Sequence, residues 1–161
     1  MKRLLTILPL CIVLQAQAED TIPTKQAKEK GIKTCLHAVE KMSNFIADGN
    51  HGASSVWNSK VPDESAFSTV IERTYSDGSI FTSLTVARTK SDHCYSEYEK
   101  IIYFEDNCMA TAQKNYKEAE YKGEVNKNVT SLSQNGVDIF LMPAGNGCVV
   151  MRKEILMDVP K

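Results

Sequence analysis

The 161-residue chain has no excess of basic residues: 19 Lys and Arg stand against 20 Asp and Glu, a formal net charge of −1. Without a basic footprint it offers little electrostatic attraction to nucleic acid or an anionic membrane surface, so neither is expected as a partner. No C-x-x-C pair occurs, which excludes the spacing of zinc knuckles and of thioredoxin-like redox sites. The G-x-S-x-G elbow and the S-x-x-K pair of serine acyl-transfer enzymes are missing as well. There is no apolar run of roughly 20 residues, the length that spanning a hydrocarbon core requires.

What is present begins with MKRLLTILPLCIVLQAQA. Lys2 and Arg3 form a positive start, Leu4 to Leu14 an apolar stretch, and Ala16-Gln17-Ala18 a small-x-small cleavage site, the three parts of a secretory signal. Cleavage is expected after Ala18, which places the protein in the periplasm or outside the cell, with no stable membrane insertion. Residues 19–161 then form a single domain of 143 residues, carrying 17 basic and 20 acidic groups, or −3.

Loss of Cys11 with the signal leaves Cys35, Cys94, Cys108 and Cys148. Four cysteines in an exported chain predict two disulfides. If Tyr98 to Glu105 is a strand, its eight residues span about 26 Å, too far for a Cys94–Cys108 bond, whose Cα atoms must lie within about 7 Å. Two pairings remain: Cys35–Cys94 with Cys108–Cys148, which is preferred, or Cys35–Cys108 with Cys94–Cys148.

Apolar Ile32, Cys35, Leu36, Val39, Met42, Phe45 and Ile46 recur at spacings of three and four, the stripe of one long helix running from Thr24 as N-cap to Asp48-Gly49-Asn50. The period then falls to two. Ala66–Tyr75, Asp77-Gly78 and Ile80–Ala87 read as a hairpin, and Tyr98–Glu105 as a third strand. Cys108–Tyr121 reads as a helix. Val129–Gln134, Asn135-Gly136 and Val137–Met142 form a second hairpin, and Cys148–Leu156 is the last strand. The expected fold is α+β, an N-terminal helix packed on an antiparallel sheet of five to six strands, with two disulfides. No internal repeat or low-complexity tract appears in the sequence.

The chemistry-bearing residues do not assemble into a catalytic pattern. His37, His51 and His93 are scattered, and His37 lies two residues from Cys35, on a different side of a helix. His93 adjoins Cys94, but that cysteine is needed for a disulfide. The acidic pairs Asp63-Glu64, Glu105-Asp106 and Glu118 with Glu120 sit in polar stretches, without the apolar setting that raises a catalytic carboxyl. No catalytic residue, metal or cofactor is expected. All six tyrosines lie between Tyr75 and Tyr121, and tyrosine and tryptophan often anchor interfaces. Trp57, Tyr75, Tyr98 and Tyr103 are therefore the candidate partner surface.

MPAGNGCVVM, Met142 to Met151, raises the question of a glycine-rich active loop. A phosphate cradle or a nucleophile elbow needs a helix after the turn, whereas Cys148-Val149-Val150-Met151 reads as strand. The stretch is a turn followed by a disulfide staple.

Ser54-Ser55-Val56-Trp57-Asn58, Phe67-Ser68, Tyr75-Ser76-Asp77-Gly78-Ser79, Ser83-Leu84-Thr85-Val86-Ala87 and Met142-Pro143-Ala144-Gly145-Asn146-Gly147-Cys148 resemble a group of small exported bacterial proteins of uncharacterised function. The resemblance covers nearly all of residues 19–161. It implies a shared disulfide-bonded fold and carries over no ligand or activity. The expected function is non-enzymatic binding of another envelope or secreted protein, as an inhibitor or immunity-type factor. An envelope-acting hydrolase, or a small-ligand or metal-binding envelope protein, are the alternatives.

Overall fold

The computed structural model describes residues 19–90 and 93–156. The expected signal segment and its cleavage site lie outside the described residues.

The single helix expected from Thr24 to Asp48-Gly49-Asn50 is two helices, with the apolar stripe from Leu36 to Ile46 in the second. Helix α1 (Ile22–Glu29) is capped by Thr21, whose side chain accepts from the Thr24 N–H, so the N-cap lies three residues before the Thr24 expected from sequence. The helix stops at Gly31, which takes φ of +82°. The Ile32 N–H then reaches back to the Ala27 carbonyl at 3.0 Å and the Gly31 N–H to the Lys28 carbonyl at 3.2 Å, the closing bonds of a Schellman-type end. Helix α2 (Leu36–Ile46) restarts with Cys35 at its N-cap and buries Ala38, Val39 and Met42.

Between the helices, Asp63 from a 3-10 turn (Pro62–Glu64) captures the chain. Its carboxylate accepts from the Lys33 N–H at 2.6 Å, the Thr34 N–H at 2.7 Å and the Thr34 hydroxyl at 2.8 Å. Burial pushes the Asp63 carboxyl up, but these donors and Arg88 outweigh it and hold it below its ordinary value. A carboxyl depressed on folding adds stability above its unfolded value, and that stability is lost as pH falls through the folded value. Asp63→Ala is therefore expected to cost about 1–2 kcal/mol at neutral pH. The gap to the unsubstituted protein should close in urea melts as the buffer is taken below the carboxylate range.

Eight strands follow: β1 (Gly52–Val56), β2 (Phe67–Tyr75), β3 (Gly78–Arg88), β4 (Cys94–Phe104), β5 (Glu120–Glu124), β6 (Thr130–Gln134), β7 (Val137–Ala144) and β8 (Gly147–Leu156). Helix α3 (Cys108–Asn115) precedes β5, ending six residues before the Tyr121 expected. The strands form one antiparallel sheet in the order β1-β2-β3-β4-β8-β7-β6-β5. The expected count of five to six strands is corrected to eight. The two additional strands, GASSV and EYKGE, are the short polar edges. An edge strand has neither the apolar alternation nor the length that announces its inner neighbours.

Although the sequence shows no repeat, the topology does. Each half runs helix, then a four-stranded meander, and the halves join only through their last strands, β4 and β8. Each half closes with a disulfide from a helix start to a fourth-strand start: Cys35–Cys94, with Cα atoms 5.6 Å apart, and Cys108–Cys148, at 4.9 Å. The preferred pairing is the one found, and extended β4 separates Cys94 from Cys108 as the span argument requires.

The register puts all three helices on one face. Phe104 lies opposite Cys148 and Ser96 opposite Leu156, so even-numbered residues of β4 and β8 point the same way. Those side chains supply both cores. One gathers Val39, Met42, Phe67, Leu84 and Tyr98 under α1 and α2, the other Leu132, Ile139, Leu141 and Val150 under α3.

Candidate functional site

Among the described residues no helix packs on the odd-numbered face of β4 and β8, and that face is apolar at its centre. Ile101, Val149 and Met151 of the inner strands sit beside Phe140 and Met142 of β7. With Val125 and Val129 from the β5–β6 connection they wall a shallow depression of about 540 Å³. That connection is held in shape by a Val125 N–H to Val129 carbonyl bond of 2.8 Å. Phe81 extends the patch across the register from Ile101, and Tyr103 continues it opposite Val149. Both are solvent-facing, Phe81 at 44 % exposure and Tyr103 at 56 %, while Met142 is 46 % exposed.

The rim of this face is acidic. Glu72, Glu97, Glu99, Glu120 and Asp138 occupy its strand positions against Lys122 and Lys153. Lys153 bridges Glu97 at 2.5 Å and Glu99 at 2.9 Å, and the Tyr95 hydroxyl donates to Glu97. Hydrogen bonds from Lys153 and then Tyr95 hold the Glu97 carboxyl below its ordinary value, so it stays ionised. This cluster borders the depression and leaves a surplus of negative charge around an apolar floor.

The four aromatic residues singled out from sequence do not form one surface. Tyr103 alone lies on the bare face. Trp57 follows β1 and packs against the core beneath α1 and α2, with the Lys30 ammonium 5.1 Å from its ring centroid. Tyr98 is 5 % exposed. Its hydroxyl donates to Glu154 at 2.7 Å, its ring meets Phe45 edge-on at 5.9 Å, and burial together with Glu154 pushes its hydroxyl up to about 12. Tyr75 ends β2 under the Arg73 guanidinium, 4.9 Å from the ring centroid. Tyr75 and Tyr98 do meet, but at a second cavity of about 180 Å³ on the helix-bearing face, lined also by Phe45, Arg73, Lys100 and Arg152. The apolar bare-face residues Phe81, Phe140 and Met142 were legible only as one side of alternating strands. Nothing in the sequence says which side the helices leave open.

The Met142–Met151 stretch is a tight hairpin. Pro143 belongs to β7 and faces Cys148, so the strand continues two residues beyond its expected end at Met142 and the loop is only Gly145-Asn146. Proline is tolerated there because β6 has already ended at Thr130, opposite Leu141. Gly145 supplies the positive φ, +61°, that a two-residue turn of this kind asks of its first position. Gly147 lies beneath the Tyr103 ring and against the Phe104 carbonyl.

Among the described residues no group of three or more His, Cys, Asp or Glu is placed to hold a metal ion. His51 joins α1 to the loop after α2, accepting from the Ile22 N–H at 3.1 Å and contacting the Gly49 carbonyl at 2.8 Å. No described helix is long and apolar enough to cross a membrane. Comparison with protein-family models, with curated proteins and with solved structures finds no match.

Proposed function

We propose that this chain is an exported, non-enzymatic binding protein whose bare sheet face receives another exported protein, in the manner of an inhibitor or immunity-type factor. The observation that carries this reading is the contiguous apolar patch of Phe81, Ile101, Phe140, Met142, Val149 and Met151 on the side that no described helix covers. Monomeric soluble proteins rarely leave such a patch open without a partner to cover it. Five carboxylates against two ammonium groups around it select an occupant with an apolar segment flanked by Lys or Arg. Two disulfides support the exported setting, because such bonds persist in oxidising compartments.

The test is cross-linked capture from envelope extract by residues 19–161, run beside Phe81→Glu, Met142→Glu and a control, Met109→Glu. Met109 is exposed on α3, on the opposite side of the sheet. All three substitutions fall at exposed positions and are expected to leave stability within about 0.5 kcal/mol. A protein captured by the unsubstituted chain and the Met109 variant, and lost at least tenfold by the other two, is the expected result; each buried apolar anchor contributes about 1.4 kcal/mol or more. Capture indifferent to Phe81 and Met142, or no capture, overturns the reading. So does a dimer in sedimentation that Met142→Glu dissolves, because a second copy would then fill the face.

A further inference from the structure

We propose that Arg73, Lys100 and Arg152 form a binding site for a phosphate monoester whose organic part is apolar or aromatic. The site lies on the helix-bearing side of the sheet, away from the bare face.

The three cations come together through strand register. Lys100 and Arg152 are directly opposed across β4 and β8, and Thr82 of β3 is the other neighbour of Lys100. Arg73 of β2 points to the same face, and all three line the cavity of about 180 Å³. None makes an ion pair with a carboxylate of the described residues. The Nε atoms of both Arg73 and Arg152 are buried without a hydrogen-bond partner. Glu154, the only carboxylate β8 directs to this face, accepts the Tyr98 hydroxyl instead. Burial, then Arg152, then Arg73 push the Lys100 ammonium below its ordinary value, as expected of like charges crowded without an anion.

Folding has thus gathered three positive groups and two unsatisfied donors in one half-buried cavity. Each unsatisfied donor costs stability, and the stacking of Arg73 on the Tyr75 ring satisfies neither Nε atom. An oxyanion answers both costs. Two guanidinium forks match its geometry bidentately, and the Lys100 ammonium adds a point charge. Three cations less Glu154 leave about two positive charges, close to the roughly −1.5 to −2 of a phosphate monoester and more than one carboxylate neutralises. Phe45 and Ile46 of α2, Ile80 of β3 and the Tyr75 and Tyr98 rings supply the apolar part of the lining. An apolar or aromatic group esterified to the phosphate has a wall to pack on.

The probes are inorganic phosphate and phenyl phosphate, titrated by calorimetry and amide NMR at constant ionic strength in chloride. One saturable site is expected, with shifts at Thr82, Lys100 and Arg152, and phenyl phosphate binding about tenfold tighter than inorganic phosphate through the added wall contact. Arg152→Gln should weaken phenyl phosphate about tenfold or more. Lys100→Met should raise the melting temperature in phosphate-free buffer, by relieving the crowding, yet lose the further rise that phenyl phosphate gives the unsubstituted protein. That combination separates a ligand site from a structural cluster, because a residue needed for folding would lower the melting temperature. Phosphate binding without preference for the phenyl ester would overturn the apolar component. No saturable binding, binding unchanged in Arg152→Gln, or a destabilised Lys100→Met would overturn the site.

Discussion

Gly147→Ala is expected to cost about 3 kcal/mol or more, an effect out of proportion to one methyl group. A Cβ at Gly147 would come under 3.0 Å from the Phe104 carbonyl oxygen and from the Tyr103 hydroxyl and ring carbon. The tyrosine ring can turn away; the carbonyl is backbone of β4, fixed by the β4–β8 ladder that joins the two halves. The methyl group therefore pushes on the central seam of the sheet. Tyr103→Ala in the same chain should not restore stability, because the backbone contact remains. Gly145→Ala is the informative neighbour. Nothing lies within 4 Å of a Cβ there, and only the φ of +61° is strained, so about 1 kcal/mol is expected. Urea denaturation of the three variants checks the ranking.

Removing the Cys35–Cys94 bond, as Cys35→Ala with Cys94→Ala, is expected to cost about 4 kcal/mol, by loop-closure entropy across a separation of 59 residues. The Cys108–Cys148 pair closes 40 residues. Its removal should cost only a few tenths of a kcal/mol less, since the dependence on length is logarithmic. Against a total stability of about 5–15 kcal/mol for a domain of this kind, either loss is large, and the double removal is expected to leave a chain that no longer melts cooperatively. Chemical denaturation of the two paired variants, with and without reductant, measures both. Reductant opens both bonds, so it should lower the unsubstituted protein and both paired variants to the level of the fully substituted chain and leave that chain unmoved.

Much of this architecture is readable in the sequence because its signals are local. Asn135-Gly136 marks a two-residue hairpin loop, and both residues take the positive φ, +53° and +81°, that such a loop demands. The β2–β3 and β6–β7 hairpins and the last strand follow from alternation and turn chemistry. The N-terminal stripe was readable as helical, but not as broken. Its apolar residues all lie after Gly31, from Ile32 to Ile46, so their spacing carries no mark of a break before them, and Ile32 and Cys35 join the same core from outside either helix. Lys28, Lys30 and Gly31 followed by apolar Ile32 are nonetheless the marks of a helix end. The edge strands carried no comparable signal. The functional surfaces were the least legible. Tyr98 and Tyr103 lie five residues apart on one strand, so strict alternation sends them to opposite faces: Tyr98 to a core, Tyr103 to the bare side. Sequence identifies an aromatic strand; only the pairing of β4 with β8 and the placement of the helices say which side is open. The convergence of Arg73, Lys100 and Arg152 arises from three strands, and no spacing in the chain announces it.

The chain folds as two helix-and-meander halves, each locked by its own disulfide and joined through β4 and β8. Mass mapping of a non-reduced proteolytic digest tests it most directly. One linked peptide pair containing Cys35 and Cys94 and a second containing Cys108 and Cys148 are expected. A bond between halves, Cys35 with Cys108 or Cys94 with Cys148, would contradict it, as would Cys94 joined to Cys108, which an extended β4 forbids.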